Sequence, residues 1–515
     1  MIAKPTSRKL RGWRAMAAVV FVSLSAAACS GGGSSGGGST ASTTPPGDTT
    51  GAVGGSAAAA EGTSTDGTAA PGGTSSGGSG SGSGTAADAG AIVPQSFPGG
   101  FIEKSSSTTA RPVPSAAQIQ SFLPAGRGAF TFPAPYNTRG VRLTIPSDCG
   151  GADCVNYVGY SYWRNTNNHV GSDTMYIFLG LSPSAGGSGV TLFSYNKTTD
   201  AVTKVGPIFP AGNPLGGKNG EQWYFSATLP TKMYVFDPGS GSALLRHDVL
   251  TKQTQTVFDV NTYFGGGKYI WQPHSSNDDN VHMATVRNSS SYAMEGCIVF
   301  FENTQQFRWF PATGSLDECN LDKSGRWFFK LESTTGSGTD NVIIDLQTNQ
   351  QTVLLDPQGA AAHLDTGFGI MVGEDNWNSL PGAARLYTFG QTPIPGPVVF
   401  RTTDWAADVG HVTFQNASAT VPVDKQHACT SNSSRSNLPR ANEIVCFRLD
   451  PSLDALVVAP TMTNLNASGG GPDDYAKRAM GNIDITGQYF IWTSNMSSGR
   501  QDAFIVKVPK QLLVP

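Results

Sequence analysis

The chain has 515 residues, a formal net charge of −3, 14% charged residues, 63 glycines and seven cysteines. Lys4, Arg8, Lys9, Arg11 and Arg14 are the only charged residues among the first 28, so subtracting those five cations from −3 leaves −8 for the remainder. A mildly acidic body with no basic cluster argues against nucleic acid as a partner.

Residues 1–28 join that basic head to an apolar stretch, residues 15–28, which is too short for a membrane span and has the layout of a secretion signal. Ala26-Ala27-Ala28-Cys29 resembles the lipobox of bacterial lipoproteins. That resemblance implies a diacylglycerol on Cys29, a lipid bilayer as partner, and a lipid-anchored place in the bacterial cell envelope. The envelope site would be the outer membrane, its periplasmic face or the cell surface. Ordinary cleavage near Ala28, with Cys29 left as a spare thiol, is the alternative.

Residues 29–91 are a tract of Gly, Ser, Thr and Ala without Lys, Arg or an aromatic side chain. Such a segment buries too little apolar surface to offset its ordering entropy, so a disordered tether is expected, with a mean span on the order of 40 Å.

Residues 92–515 form the folded body. One helix is expected over 115–122, where Pro114 precedes a Ser115-x-x-Gln118 capping box. Nearly everything else alternates short Val, Ile, Phe, Tyr and Trp runs with Gly, Asn, Asp, Pro and Ser turns, so the class is all-β. Two units share one design. Asn320-Leu321-Asp322-Lys323-Ser324-Gly325 feeds one strand pair, and Asn482-Ile483-Asp484-Ile485-Thr486-Gly487 feeds another. A second signature marks a hairpin in each unit, at Asn196, Asp248, Glu302, Asp345 and Asp450, with a weak copy near residues 387–390. The steps are 52, 54, 43 and 105 positions, the last about two periods. An acid or amide that opens a turn bonds the backbone N–H groups two residues on. Counting the closing strand at 504–508 gives seven units at the spacing of four-stranded blades, hence a seven-bladed β-propeller, with an eight-bladed ring or a sandwich as alternatives. The last unit runs out after its third strand, and residues 129–132 or 141–145 are the candidates to complete it.

Beyond Cys29, the body holds Cys149, Cys154, Cys297, Cys319, Cys429 and Cys446. Six cysteines allow fifteen pairings, and spacing favours disulfides between neighbours. The absence of a close CxxC pair speaks against a zinc site.

Residues ahead of each inner strand line the mouth of a propeller channel. Aligning units by their turns puts His363 where Asn320 and Asn482 stand, and Ser276 in the same place, with His274 and Glu318 two residues earlier. Gly410-His411-Val412-Thr413 opens another unit. His274, His363, His411 and Glu318 therefore converge on one axial opening. Imidazole with carboxylate suits a divalent metal (Mn, Zn or Ca), and no other cofactor is evident. The plain alternative is that these side chains bond neighbouring turns. Tyr160-Ser161-Tyr162-Trp163-Arg164, with His169 and Asp173, reads as a strand and its loop or as a sugar-binding rim. Residues 373–378 and 277–280 carry oxygen donors without the spacing of a known calcium loop.

Asp484-Ile-Thr-Gly487, Phe490-Ile-Trp-Thr-Ser-Asn495 and Ala503-Phe-Ile-Val-Lys-Val508 resemble the repeat of TolB-type, WD40-like propellers, and 322–346 resembles it less closely. Gln272-Pro273-His274 is similar to a segment of the oligogalacturonate lyases, which have propellers of this type and hold a divalent metal through axial His and Gln residues. Two functions follow as expectations. One is an envelope lipoprotein whose propeller binds a protein or carbohydrate ligand at one face. The other is a metal-assisted polysaccharide lyase or hydrolase. No nucleophile elbow, P-loop or readable carboxylate pair is present.

Overall fold

The computed structural model describes residues 96–513, apart from 157–159, 170, 337, 376–382, 392–395, 402–410 and 472–473. Cys29 and the expected signal and tether lie outside the described residues, as do positions 376–378 of one oxygen-donor loop.

Seven antiparallel sheets follow one another along the chain, and the form is a seven-bladed β-propeller. The blades span 166–207, 224–259, 268–311, 315–354, 361–400, 411–460 and 482–507. Each sheet is a meander whose first strand is innermost. The outermost strand alternates, as Val202–Pro207 does between half-buried and exposed positions, whereas inner strands such as His411–Thr413 are buried throughout. This is the expected gradient from a solvated rim to a packed axis.

The hairpin signature works as its chemistry requires. Asn196 Oδ1 accepts from the backbone of Thr198 and Thr199, Asp248 Oδ1 from Leu250 and Thr251, and Asp345 Oδ1 from Gln347. Inside the blades, Asp322 Oδ1 caps the N–H groups of Arg326 and Trp327, and Asp484 Oδ1 those of Gln488 and Tyr489. Gly325 (φ +73°) and Gly487 (φ +69°) supply the left-handed residue these turns need. At Gly325 a Cβ would also sit 2.8 Å from Val281 of the preceding blade.

Three N-terminal strands close the ring: β1 (Phe101–Lys104), β2 (Gly128–Thr131) and β3 (Arg139–Arg142). Strand β3 is the fourth strand of blade seven, pairing Val141 with Ile505, and β2 adds a fifth. Both candidate segments are therefore used. Strand β1 extends blade six instead, pairing Phe101 with Val457, an addition the sequence did not suggest. The expected helix is Ala116–Phe122, with the Ser115–Gln118 capping box formed.

The core lies between blades. Between blades six and seven, Trp492, Phe490, Phe504 and Val457 pack with Phe130 and Phe132 from the N-terminal segment. Met175, Ile177, Tyr489 and Ile491 fill the joint between blades seven and one. Each large side chain withdrawn from water is worth roughly 1.5–3 kcal/mol, so the closing segment contributes to the ring as any blade does. Polar ties reinforce it. Asp200, in the outer hairpin of blade one, accepts from Lys507 at 2.7 Å, Arg139 at 2.8 Å and Tyr195 at 2.6 Å. Three disulfides join the neighbouring cysteines: Cys149–Cys154, Cys297–Cys319 between blades three and four, and Cys429–Cys446 across one hairpin.

Candidate functional site

The axis is not an open channel. Residues 160–165, just ahead of blade one, run along it and bond to most of the ring. Tyr162 donates to Glu318 of blade four, and Trp163 Nε1 to the carbonyl of Pro273 in blade three at 3.0 Å. Arg164 Nε reaches Phe225 O in blade two at 3.0 Å, and its Nη1 reaches Gln415 of blade six at 3.0 Å. Asn482 of blade seven donates to Asn165 at 2.9 Å. This segment is not a strand. His169 and Asp173 lie apart from it, beside the outer hairpin of blade one.

At one end of the segment is a cluster of aromatic and polar side chains, termed the mouth. The Tyr160 ring is 4.4 Å from that of His411, and the His411 ring is 4.8 Å from that of His363. Tyr160 also hydrogen-bonds to Tyr475, from the stretch before blade seven. Glu318 Oε2 accepts from Tyr162 at 2.9 Å and from Gln272 Nε2 at 3.1 Å, and Oε1 has no hydrogen-bond partner among the described residues. Asp317 and His363 are exposed. Asp317 is open to water yet ringed by the walls of the mouth, and their desolvation raises its carboxyl. The Glu318 carboxyl is pushed up to about 8 by burial and then by the charge of Asp317. At neutral pH it is mostly the neutral acid. His411 is buried and held well below the usual imidazole range by desolvation, then by His363 and Arg478. His363 Nδ1 lies 3.3 Å from Glu374.

Deeper on the axis, His274 stacks on Trp163 (centroids 5.4 Å, planes at 28°), and the Tyr162 ring, itself 4.7 Å from Trp163, lies 5.4 Å from the imidazole. Burial, then Lys323 and Arg164, hold its imidazole down at about 3. Lys323 Nζ is 3.0 Å from Asp365 Oδ1, and Asp365 Oδ2 accepts from Gln415 Nε2 at 2.8 Å.

The four residues expected at the axis lie at two depths, three near Tyr160 and Tyr162 and one against Trp163. His363, His411 and Glu318 border the mouth, and His274 lies beneath it. The expected alignment is off by two positions in two blades. Ser276 N–H bonds Val281 O as Asp322 bonds Trp327 O and Asp484 bonds Tyr489 O, so His274 is the counterpart of Asn320 and Asn482. In blade five Gly367 closes the turn, which makes Asp365 that counterpart and His363 the match of Glu318. In blade five the turn itself makes the offset, since Gly367 N–H to Ile370 O is two residues shorter than Asp322 N–H to Trp327 O. Tyr475, Lys323, Asp365 and Gln415 were not singled out by sequence. The turn Asp322-Lys323 was the one signal that could have found Lys323. The second oxygen-donor loop is committed locally, since Asp279 accepts from Ser226, Thr228 and Tyr234.

No family model matches the chain, and no curated protein matches it. Solved structures do. The chain is similar to an oligogalacturonate lyase from Vibrio parahaemolyticus, at 9% identity over 76% of this chain and 98% of that one, with a TM-score of 0.51. It is equally similar to an oligogalacturonate lyase in complex with manganese, at 10% identity, the same coverages and a TM-score of 0.51. TolB from Acinetobacter baumannii matches at 12% identity over 56% of this chain and 64% of that one, with a TM-score of 0.34. At these identities the lyases share the fold with this chain.

The donors at this axis do not fit a divalent metal. Among the described residues no three His, Cys, Asp or Glu side chains converge closely enough to hold an ion. His274 is stacked on Trp163, and Glu318 Oε2 is already taken by two donors.

Proposed function

We propose that the protein is a lipid-anchored envelope propeller that binds a carbohydrate at its axial mouth. The observation that supports this reading is the grouping of tyrosine rings with polar side chains at the mouth: Tyr160 and Tyr475 beside the exposed His363 and Asp317, with the buried Glu318 next to them. Aromatic faces pack on sugar C–H surfaces while imidazole and carboxyl groups bond hydroxyls, the usual make-up of a small-ligand site. Calorimetry against neutral and acidic oligosaccharides tests it. Binding should weaken at least about tenfold in His363→Ala and Asp317→Ala, since a lost hydrogen bond to a charged group is worth roughly 1.5–3 kcal/mol. Binding to none of the sugars, or binding indifferent to both variants, would overturn the reading. For the anchor, Cys29→Ala should move the protein from the membrane to the soluble fraction.

A second reading, a polysaccharide lyase or hydrolase, is favoured by one observation. Glu318 is a carboxylic acid held neutral by burial, and among the described residues only its Oε2 is hydrogen-bonded. That is the state a general acid needs near neutral pH. Turnover of a bound polysaccharide that disappears in Glu318→Gln while binding persists would establish it. Binding without turnover in the wild type would leave the protein a binder.

A further inference from the structure

Beneath the mouth, a second feature is not used by either reading. Arg164, Lys323, His274, Asp365, Tyr224 and Gln415 are among the residues that line a cavity of ≈ 20 Å³, room for about one water molecule. Its walls carry two cations and one anion. Lys323 is matched by Asp365 at 3.0 Å. Arg164 has no such match: only 4% exposed, it donates to the Phe225 carbonyl and to the amide oxygens of Gln415 and Asn277, all neutral acceptors. No carboxylate of the described residues lies within ion-pair distance of it. The nearest influences, Asp279 and Asp365, are engaged elsewhere, by three hydroxyl donors and by Lys323.

A buried guanidinium bonded only to neutral oxygens is costly, because its desolvation is not returned by an opposite charge. A further polar group in the cavity wall is also unsatisfied. His274 is 8% exposed and its Nε2 is without a partner. As a neutral ring it can carry a proton there and donate it. The field at the ring is positive, since Lys323 and Arg164 both oppose its protonation.

We propose that this cavity is a binding site for one halide-sized anion, held by the Arg164 guanidinium, the Lys323 ammonium and the Nε2–H of His274. Such an ion would balance the unmatched cation, give the orphan imidazole nitrogen a partner, and fix residues 160–165 on the axis. The room is close to that of one water molecule, which suits a single-atom anion better than a carboxylate, phosphate or sulfate. A single water would satisfy the imidazole but leave the guanidinium charge unopposed.

The test uses the whole protein. Melting is followed in sodium chloride, sodium bromide and sodium gluconate at equal ionic strength, and crystals are grown in bromide for anomalous diffraction. The proposal expects a saturable rise in midpoint, on the order of 2 °C, with either halide over gluconate. It also expects a bromide peak between the three side chains. His274→Phe keeps the stack on Trp163 but removes the donor, and should weaken the halide effect. Arg164→Gln should abolish it, and if that variant fails to fold, His274→Phe carries the test alone. A cavity holding only water in bromide crystals, or a midpoint equal in halide and gluconate, would overturn the proposal. So would a halide effect undiminished in His274→Phe.

Discussion

Tyr162 donates its phenol to Glu318 Oε2 at 2.9 Å, joining residues 156 positions apart. The bond ties the axial segment to blade four. Because Glu318 is pushed up to about 8 from an ordinary 4.5, the folded state keeps a proton that the unfolded chain has lost between those two pH values. In that window the native state binds more protons, so stability falls as pH rises from about 4.5 to about 8 and then levels. In Glu318→Gln that contribution should vanish. Denaturant midpoints measured from pH 5 to pH 9 would show a flatter profile for the variant than for the wild type.

The latch at Asp200 should behave in the opposite sense. Burial alone would raise its carboxyl, but bonds from Lys507, Tyr195 and Arg139 overcome it and hold the group below 3.8. Its contribution is present above the ordinary carboxylate range and is lost as pH falls through the lowered value. Asp200→Asn keeps the positive φ of +60° accessible but leaves Lys507 buried without its anion. A loss of about 3–5 kcal/mol is expected in urea unfolding at pH 7, shrinking on acidification below pH 4.

Loss of a disulfide should scale with the span it closes. Replacing Cys297 and Cys319 with alanine releases a loop of sequence separation 22 between two blades, and should cost about 3 kcal/mol. The Cys149–Cys154 pair, separated by 5, should cost about 2. Unfolding of the two double variants side by side would check the order.

Closure predicts a sharp boundary in truncation. A chain beginning at residue 96 should melt as the full protein does. One beginning at 144 loses β1, β2 and β3, bares the edge of Asp502–Lys507, and removes Phe130 and Phe132 from the blade six–seven core. Removing a large core side chain costs about 3–5 kcal/mol, so this shorter chain should fail to give a cooperative transition by calorimetry.

The blade count was legible because Asn196, Asp248 and Asp345 are short polar side chains that must stand at the start of a turn to cap it, and they do. The axial residues were legible only in part. A position counted back from a turn depends on the length of that turn, and the blade-five turn, Gly367 to Ile370, is two residues shorter than Asp322 to Trp327 without leaving a mark in composition. Asp365 was therefore passed over in favour of its neighbour His363. Residues 160–165 were misread for a different reason. A buried non-strand segment has no periodicity, and its aromatic and charged side chains are placed by partners from five blades, which local sequence cannot announce. Strand β1 was missed because four residues with half-buried alternation resemble any loop margin.

The strand that seals blade seven leaves the ribosome some 360 residues before the partner it seals against, as the Arg142–Asp502 bond spans 360 positions. Until synthesis nears its end, both must stay unpaired. If the chain is threaded through a membrane pore in the same direction, β3 arrives on the far side early and waits. Such a protein would then draw on holding factors in that compartment, and any molecule cut short before residue 502 would be left with an unsatisfied edge for proteases to find.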